Sequence, residues 1–160
     1  MSDVNAAFRK IEVQHGDKTF VVSRPTFETE GAFSAWLQKR SAASIGRLQG
    51  QVVYRDALAE FVKQLNAGLF GWEEEICRMA VWTADGMKEL LYYIVTQNNP
   101  SCIDRGGFEQ LWEVLNTEAE SHNLANPDGP IKRNTLMEAY LEAIARTPTT
   151  PPAVGSGANA

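Results

Sequence analysis

Apolar residues recur at helical spacing along most of the chain, with polar residues between them. The most regular stretch forms one apolar stripe at intervals of three and four residues, made by Tyr54, Leu58, Phe61, Val62 and Leu65. Five further stretches have the same kind of pattern, at 33–37, 76–80, 87–95, 108–115 and 137–144. Together these patterns predict about six short amphipathic helices.

Capping and breaking residues set the expected ends of these helices. Thr26 and Asp104 precede apolar stretches and can accept hydrogen bonds from the first helical amides. The residues 66–68 end in glycine, and Pro100 disfavours helical geometry in the residue before it. The residues 82–86 are expected to separate the third helix from the fourth, with Gly86 as part of the break.

The N-terminal region has a different pattern, which predicts a two-stranded β-hairpin over residues 8–23. Its first arm carries Phe8, Ile11 and Val13, and its second is the β-favouring run 19–22. Gly16 lies between the arms and supplies the positive φ that a tight turn often needs. Since an isolated hairpin is only marginally stable in water, it must lie on the helices or pair with another chain.

The expected fold class is therefore mainly α, with a small N-terminal β-hairpin packed on a bundle of about six short helices. Residues 1–146 are predicted to form a single domain, because a chain of 160 residues can bury one core without disulfides or metals. Residues 147–160 contain no charged residue and only Val154 as a sizeable apolar one. Such a segment cannot offset its ordering entropy, so we expect a disordered, flexible C-terminal tail.

Composition and charge argue against a nucleic-acid or membrane partner and indicate the cellular compartment. The formal net charge is −5, and the basic residues are scattered rather than clustered, so a nucleic-acid partner is not expected. No stretch is long and apolar enough for a membrane span, and the N-terminus lacks the features of a signal peptide. Two cysteines without a CxxC pair suit a reducing compartment, and we expect a cytoplasmic protein.

Residues with catalytic or metal-binding chemistry are few and dispersed. His15 and His122 have no neighbours in the sequence that would complete a triad or a metal pair, and solvated histidines are expected. Cys77 and Cys102 are expected to be buried structural thiols. The acidic run 73–75 fits the start of a helix better than a cation loop. We therefore expect no enzyme, no catalytic residue, no cofactor and no metal.

Aromatic residues are the remaining candidates for a function. Trp36, Trp82 and Trp112 fit helical stripes or their ends, so core packing is expected for all three.

Phe70 and Trp72 flank Gly71 in a predicted loop, where they either plug the helix bundle or anchor a partner. Tyr92 and Tyr93 border the apolar stripe of the fourth helix, and one of them must point outward if the other faces inward. These four aromatic residues are the candidate partner-binding residues.

The order of these parts resembles the tail assembly chaperones of long-tailed bacteriophages. Three stretches carry the resemblance: residues 20–26 before the helix with Phe33, residues 86–100, and the helix that begins at Asp104. The second stretch contains Leu90-Leu91 and ends in Asn98-Asn99-Pro100, similar to the "LLW" helix and "NHP" turn of such proteins.

The resemblance implies a function as well as a helical fold. Tail assembly chaperones coat the tape measure protein in the host cytoplasm and shield its apolar surface before the tail tube forms. It implies a protein partner, which is the tape measure protein or another tail protein, and it leaves open whether the chain forms a homo-oligomer. The alternative is a small structural virion protein, such as a head completion protein, a connector or a tail component.

Overall fold

The computed structural model describes residues 9–145. Two strands, β1 (Ile11–His15) and β2 (Lys18–Val22), are followed within this range by six helices. The helices are α1 (Phe27–Gly46), α2 (Tyr54–Asn66), α3 (Glu75–Val81), α4 (Ala84–Asn98), α5 (Arg105–Ala125) and α6 (Thr135–Ala145). The expected fold class, mainly α with an N-terminal hairpin, is confirmed, whereas Phe8 and the expected tail at 147–160 lie outside the described residues.

The chain divides into two compact units. Among the described residues, 25–97 form one, which we call the central unit, and 9–24 together with 98–145 form the other, which we call the terminal unit. That residues 1–146 act as a single domain stays a prediction.

Helix α1 organises the central unit. It contacts α2 and α3, and its residues Phe33 and Leu37 are buried. Thr26 caps its start as predicted, with the hydroxyl oxygen accepting a hydrogen bond from the Thr29 amide at 3.3 Å. Near the other end of α1, Arg40 Nη2 donates to Asp85 Oδ2 at 2.6 Å, at the start of α4. At the opposite ends, the Thr26 hydroxyl donates to Gln97 Oε1 near the end of α4, so the two helices run antiparallel.

The junction between α3 and α4 is tighter than the sequence suggested. The prediction that Gly86 belongs to a helix break is wrong, because Gly86 lies within the first turn of α4. The break is confined to Trp82 and Thr83, where the Thr83 hydroxyl donates to the Ala80 carbonyl at 2.7 Å and accepts from the Gly86 amide at 3.0 Å. One threonine side chain thus links the end of α3 to the start of α4.

The hairpin has the predicted turn and packs on α6 within the terminal unit. His15 pairs with Lys18, so the loop contains only Gly16 and Asp17. Gly16 has φ 63° whereas Asp17 has no positive φ, as in a type II′ turn. The buried face of the hairpin carries Val13 and Phe20, which are direct partners in the antiparallel ladder, and both strands contact α6.

The buried face of α6 differs from the predicted one. The expected stripe was Met137, Tyr140, Leu141 and Ile144, whereas the buried residues are Leu136, Ala139, Tyr140 and Ala143. The predicted stripe rested on large apolar side chains, but it left out Leu136, and two of the four buried residues are alanines.

Arg24, just after β2, caps the end of α6. Its Nη2 donates to the Ile144 carbonyl at 2.8 Å and its Nε to the Ala143 carbonyl at 3.3 Å. Carbonyl groups in the last helical turn have no partner inside the helix and lie at the negative end of its dipole. The guanidinium group therefore satisfies them and ties the hairpin to α6.

Replacing Arg24 with alanine is expected to lower the free energy of unfolding by about 2 kcal/mol, the usual range for hydrogen bonds to a charged group. The change can be measured by chemical denaturation. Arg133→Ala, at an exposed arginine of the same unit, serves as control and is expected to cost less than about 0.5 kcal/mol. Equal losses in the two variants would contradict a capping role for Arg24.

Candidate protein-binding surface

Helix α2 has the most regular apolar stripe in the sequence, yet none of its residues is buried. Leu58 is 38% exposed, Val62 44% and Leu65 41%. We call these three residues the exposed α2 stripe. They are spaced by four and three residues, so they lie on one side of the helix.

The exposed α2 stripe results from an apolar arc that is wider than the face that α1 covers. Ala57, Phe61 and Gln64 face α1 and line a groove with it. Leu58, Val62 and Leu65 continue the apolar arc beyond that groove. The spacing of apolar residues predicts the helix and its stripe, but it does not predict how much of the stripe a neighbouring helix covers.

The groove between α1 and α2 is a cavity of about 400 Å³. A second cavity of about 320 Å³ lies between α1 and the α3–α4 junction. Leu37 and Arg40 line both. The C-terminal half of α1 therefore forms a floor, bordered by α2 and by the α3–α4 junction.

Arg40 is held in place between these two cavities. Its guanidinium carbon lies 5.2 Å from the centre of the Trp36 ring, and Nη2 donates to Asp85. The hydrogen bond from Arg40 and its positive charge lower the pKa of the Asp85 carboxyl group from its ordinary value. Arg40 is thus a half-exposed cation, paired with Asp85, that borders both cavities.

Charged residues of both signs are mixed along the central unit. The loop after α1 and the first turn of α2 carry Arg47 and Arg55, which are exposed, but Asp56 lies in the same turn of α2. Where α3 starts, Glu73 Oε2 of the acidic run 73–75 accepts a hydrogen bond from Arg78 Nη2 at 3.2 Å. Burial and the negative charge of Glu73 raise the pKa of Glu30 from its ordinary value.

The loop between α2 and α3 takes up two of the four candidate aromatic residues. Phe70 is only 3% exposed, and its ring lies 5.6 Å from that of Phe61. The Ser34 hydroxyl donates to the Phe70 carbonyl. Trp72 is half-buried, with its ring edge-on to Phe33 at 5.8 Å. This placement matches the plug alternative, in which the loop closes the interior of the unit.

Tyr92 and Tyr93 lie side by side on α4, with ring centres 5.9 Å apart, and both are half-buried. Neither points fully inward or fully outward. A partner-binding role for Phe70, Trp72, Tyr92 and Tyr93 stays a prediction.

The three tryptophans expected in the core differ in burial. Trp112 is buried and Trp36 is half-buried. For Trp82 the expectation is wrong, because its side chain is 58% exposed. It occupies the short break between α3 and α4.

The dispersed reactive side chains have ordinary surroundings. His15 Nε2 lies 3.5 Å from Glu118 Oε1, and His122 is exposed. Cys77 is buried as expected, whereas Cys102 is half-buried. Across residues 9–145, no three or more histidine, cysteine, aspartate or glutamate side chains are arranged as a metal site. No helix in the same range has the length and apolar character needed to cross a membrane.

Comparison of this chain with protein-family models, with curated proteins and with solved structures finds no match.

Proposed function

We propose that this protein binds an amphipathic helix of a longer protein through the exposed α2 stripe, and that it acts as a tail assembly chaperone in a phage-infected cell. The single observation that supports binding is the unburied apolar side of α2. Leu58, Val62 and Leu65 have the spacing of four and three residues by which a helix presents its side chains to another helix.

The proposed client is the tape measure protein. Support for this choice is the resemblance carried by residues 20–26, 86–100 and the helix from Asp104. A long helical client presents apolar surface along its whole length, and that surface aggregates until the tail tube covers it. A modest contact per copy suffices, because many copies bind along one long client.

Co-expression with the proposed client, the tape measure protein of the same phage, tests this proposal. The soluble fraction of that protein is expected to increase when this chain is present. Val62→Glu places a charge in the exposed α2 stripe and is expected to remove most of the increase. Val114→Glu is a matched control, because Val114 is also a helical valine and is 45% exposed.

Two results would count against a chaperone. One is a soluble fraction that does not depend on this chain, and the other is an equal loss with Val62→Glu and Val114→Glu. Recovery of the chain in stoichiometric amounts from purified virus particles would favour the structural virion protein instead.

A further inference from the structure

Helix α2 is held more loosely than its neighbours in the central unit. None of its residues is buried, whereas α1, α3 and α4 each bury at least two side chains. Within the central unit it lies against α1 alone. Across the described residues, no side-chain hydrogen bond or ion pair joins α2 to another helix. The contact between α2 and α1 therefore consists of packing alone.

This packing contact is small, and a cavity interrupts it. Ala57 and Phe61 are only half-buried, and they face Leu37 and Ile45 of α1 across the groove of about 400 Å³. The ring of Phe61 also packs on that of Phe70, in the loop after α2. Side chains that line a gap lose the dispersion contacts that close packing would give. A segment with so few apolar contacts needs little free energy to open locally.

A glycine in the left-handed region lies on each side of α2. Gly50, four residues before the start of the helix, has φ 89°, and Gly68, two residues after its end, has φ 71°. An added Cβ at either glycine would meet nothing within 4 Å. Glycine adopts positive and negative φ with similar ease, so the chain can turn at both positions without strain. Two flexible connections therefore border the helix that packing holds least.

We infer that α2 is a lid on α1, which opens and closes as one unit by turning at Gly50 and Gly68 while α1, α3 and α4 stay folded. The hydrogen bond from Arg40 to Asp85 joins α1 to α4 and does not involve α2, so opening leaves it in place. The contact that must break is the packing of Phe61 and its neighbours on α1 and on the loop after α2.

Opening changes the surface that the central unit presents. In the closed position, the exposed α2 stripe faces solvent and the inner side of α2 faces α1. In the open position, Leu37 and Ile45 of α1 become accessible, together with Phe61 on the inner side of α2. The position of the lid thus controls how much apolar surface is available, and the free energy of opening sets the population of the open state.

Hydrogen exchange of the full chain without any client, followed by mass spectrometry, tests the lid. A detached helix of 13 residues is only marginally stable in water, so its amides exchange while the lid is open. The amides of α2 are expected to be at least about 100-fold less protected than those around Leu90 and Leu91, which are fully buried in α4. Exchange in α2 should also respond only weakly to guanidinium chloride, because opening exposes much less surface than unfolding does.

A substitution in α4 separates opening of the lid from unfolding of the whole unit. Ile94 is 1% exposed, and Ile94→Val removes one methyl group from the interior. This change is expected to speed exchange in α4 by about two- to ten-fold. Exchange in α2 should change by less than about two-fold, because α2 does not contact α4 and opens without disturbing it.

Two substitutions in α2 itself test which side holds the lid closed. Phe61→Ala removes the ring that packs on Phe70 and is expected to speed exchange in α2 by about ten-fold. Val62→Ala is the matched control, because Val62 is the next residue but belongs to the exposed α2 stripe. It should change exchange in α2 by less than about three-fold. Circular dichroism checks that all variants keep their helical content.

Three results would overturn the inference. Equal protection and equal denaturant dependence of α2 and α4 would mean that α2 opens only when the whole unit unfolds. Equal acceleration of α2 and α4 by Ile94→Val would mean the same. Equal effects of Phe61→Ala and Val62→Ala would show that the inner side of α2 does not hold it closed. None of these measurements includes a client, so the proposed function passes or fails separately.

Discussion

Replacing Gly86 with alanine is expected to lower the free energy of unfolding by about 3 kcal/mol, at the upper end of the usual cost of overpacking. A Cβ atom at this position would lie 1.8 Å from the Ala80 carbonyl oxygen and 2.8 Å from Thr83 Oγ1. The first of these atoms belongs to the backbone, so it cannot turn away as a flexible side chain would. The end of α3 or the start of α4 must therefore move.

Gly31→Ala is the matched control for this prediction. Gly31 also lies in a helix, α1, but an added Cβ would meet nothing within 4 Å. Alanine costs less conformational entropy than glycine in a helix, so this variant is expected to be more stable than the wild type by about 0.5–1 kcal/mol. Chemical denaturation of both variants should give changes of opposite sign, and equal changes would show that the close contact at Gly86 is not decisive.

Cys77 is expected to react with iodoacetamide at pH 8 at least about 100-fold more slowly in the folded protein than in the unfolded chain. Burial, assisted by the negative charge of Glu30, raises the pKa of the Cys77 thiol from its ordinary value of 9.0 to about 11. The reactive thiolate is therefore scarce at pH 8, and the buried sulfur is also shielded from the reagent. Mass spectrometry of the labelled peptides gives the rate.

Cys102 is the internal control for this measurement. Burial also raises the pKa of the Cys102 thiol, but this side chain is half-buried and the nearby charge of Lys18 opposes the shift. It is expected to react faster than Cys77 in the folded protein and at a similar rate in the unfolded chain. Rapid labelling of Cys77 at pH 8 would contradict its placement in the interior and reopen the question of thiol chemistry.

The same shift predicts how stability depends on pH. Because the folded protein holds the Cys77 proton more tightly than the unfolded chain does, the stabilisation is fully present below pH 9.0. It is lost as the pH rises through the folded pKa of about 11. The wild type should therefore lose more stability between pH 9 and pH 11 than Cys77→Ala does, and parallel curves would contradict the shift.

Local sequence signals located the elements of this fold well. Thr26 and Asp104 cap α1 and α5 because a short polar side chain can reach the first amides of a helix without help from the rest of the protein. Gly16 adopts the positive φ of its turn, and α4 ends before Pro100. These features depend on a few neighbouring residues, so composition and spacing are sufficient to predict them.

The candidate binding surface could not be predicted in the same way. The spacing of Leu58, Val62 and Leu65 is that of a core-facing stripe, and the pattern is the same whether a neighbour covers it or not. Phe70 is the opposite case, because its burial could not be predicted from the sequence. In the sequence it is a large apolar residue in a loop, and in the structure that loop folds back so that its ring packs on Phe61.

Helix ends, the hairpin turn and the presence of six amphipathic helices depend on interactions within a few residues. Local sequence patterns therefore predict them. The burial of each face follows from which elements meet, and that depends on contacts between residues far apart in the chain. Arg24 caps α6 from 119 residues away, and the Ser34 hydroxyl donates to the Phe70 carbonyl, 36 residues further along the chain. Such neighbours are absent from any local pattern, so these roles and the exposed side of α2 required the three-dimensional structure.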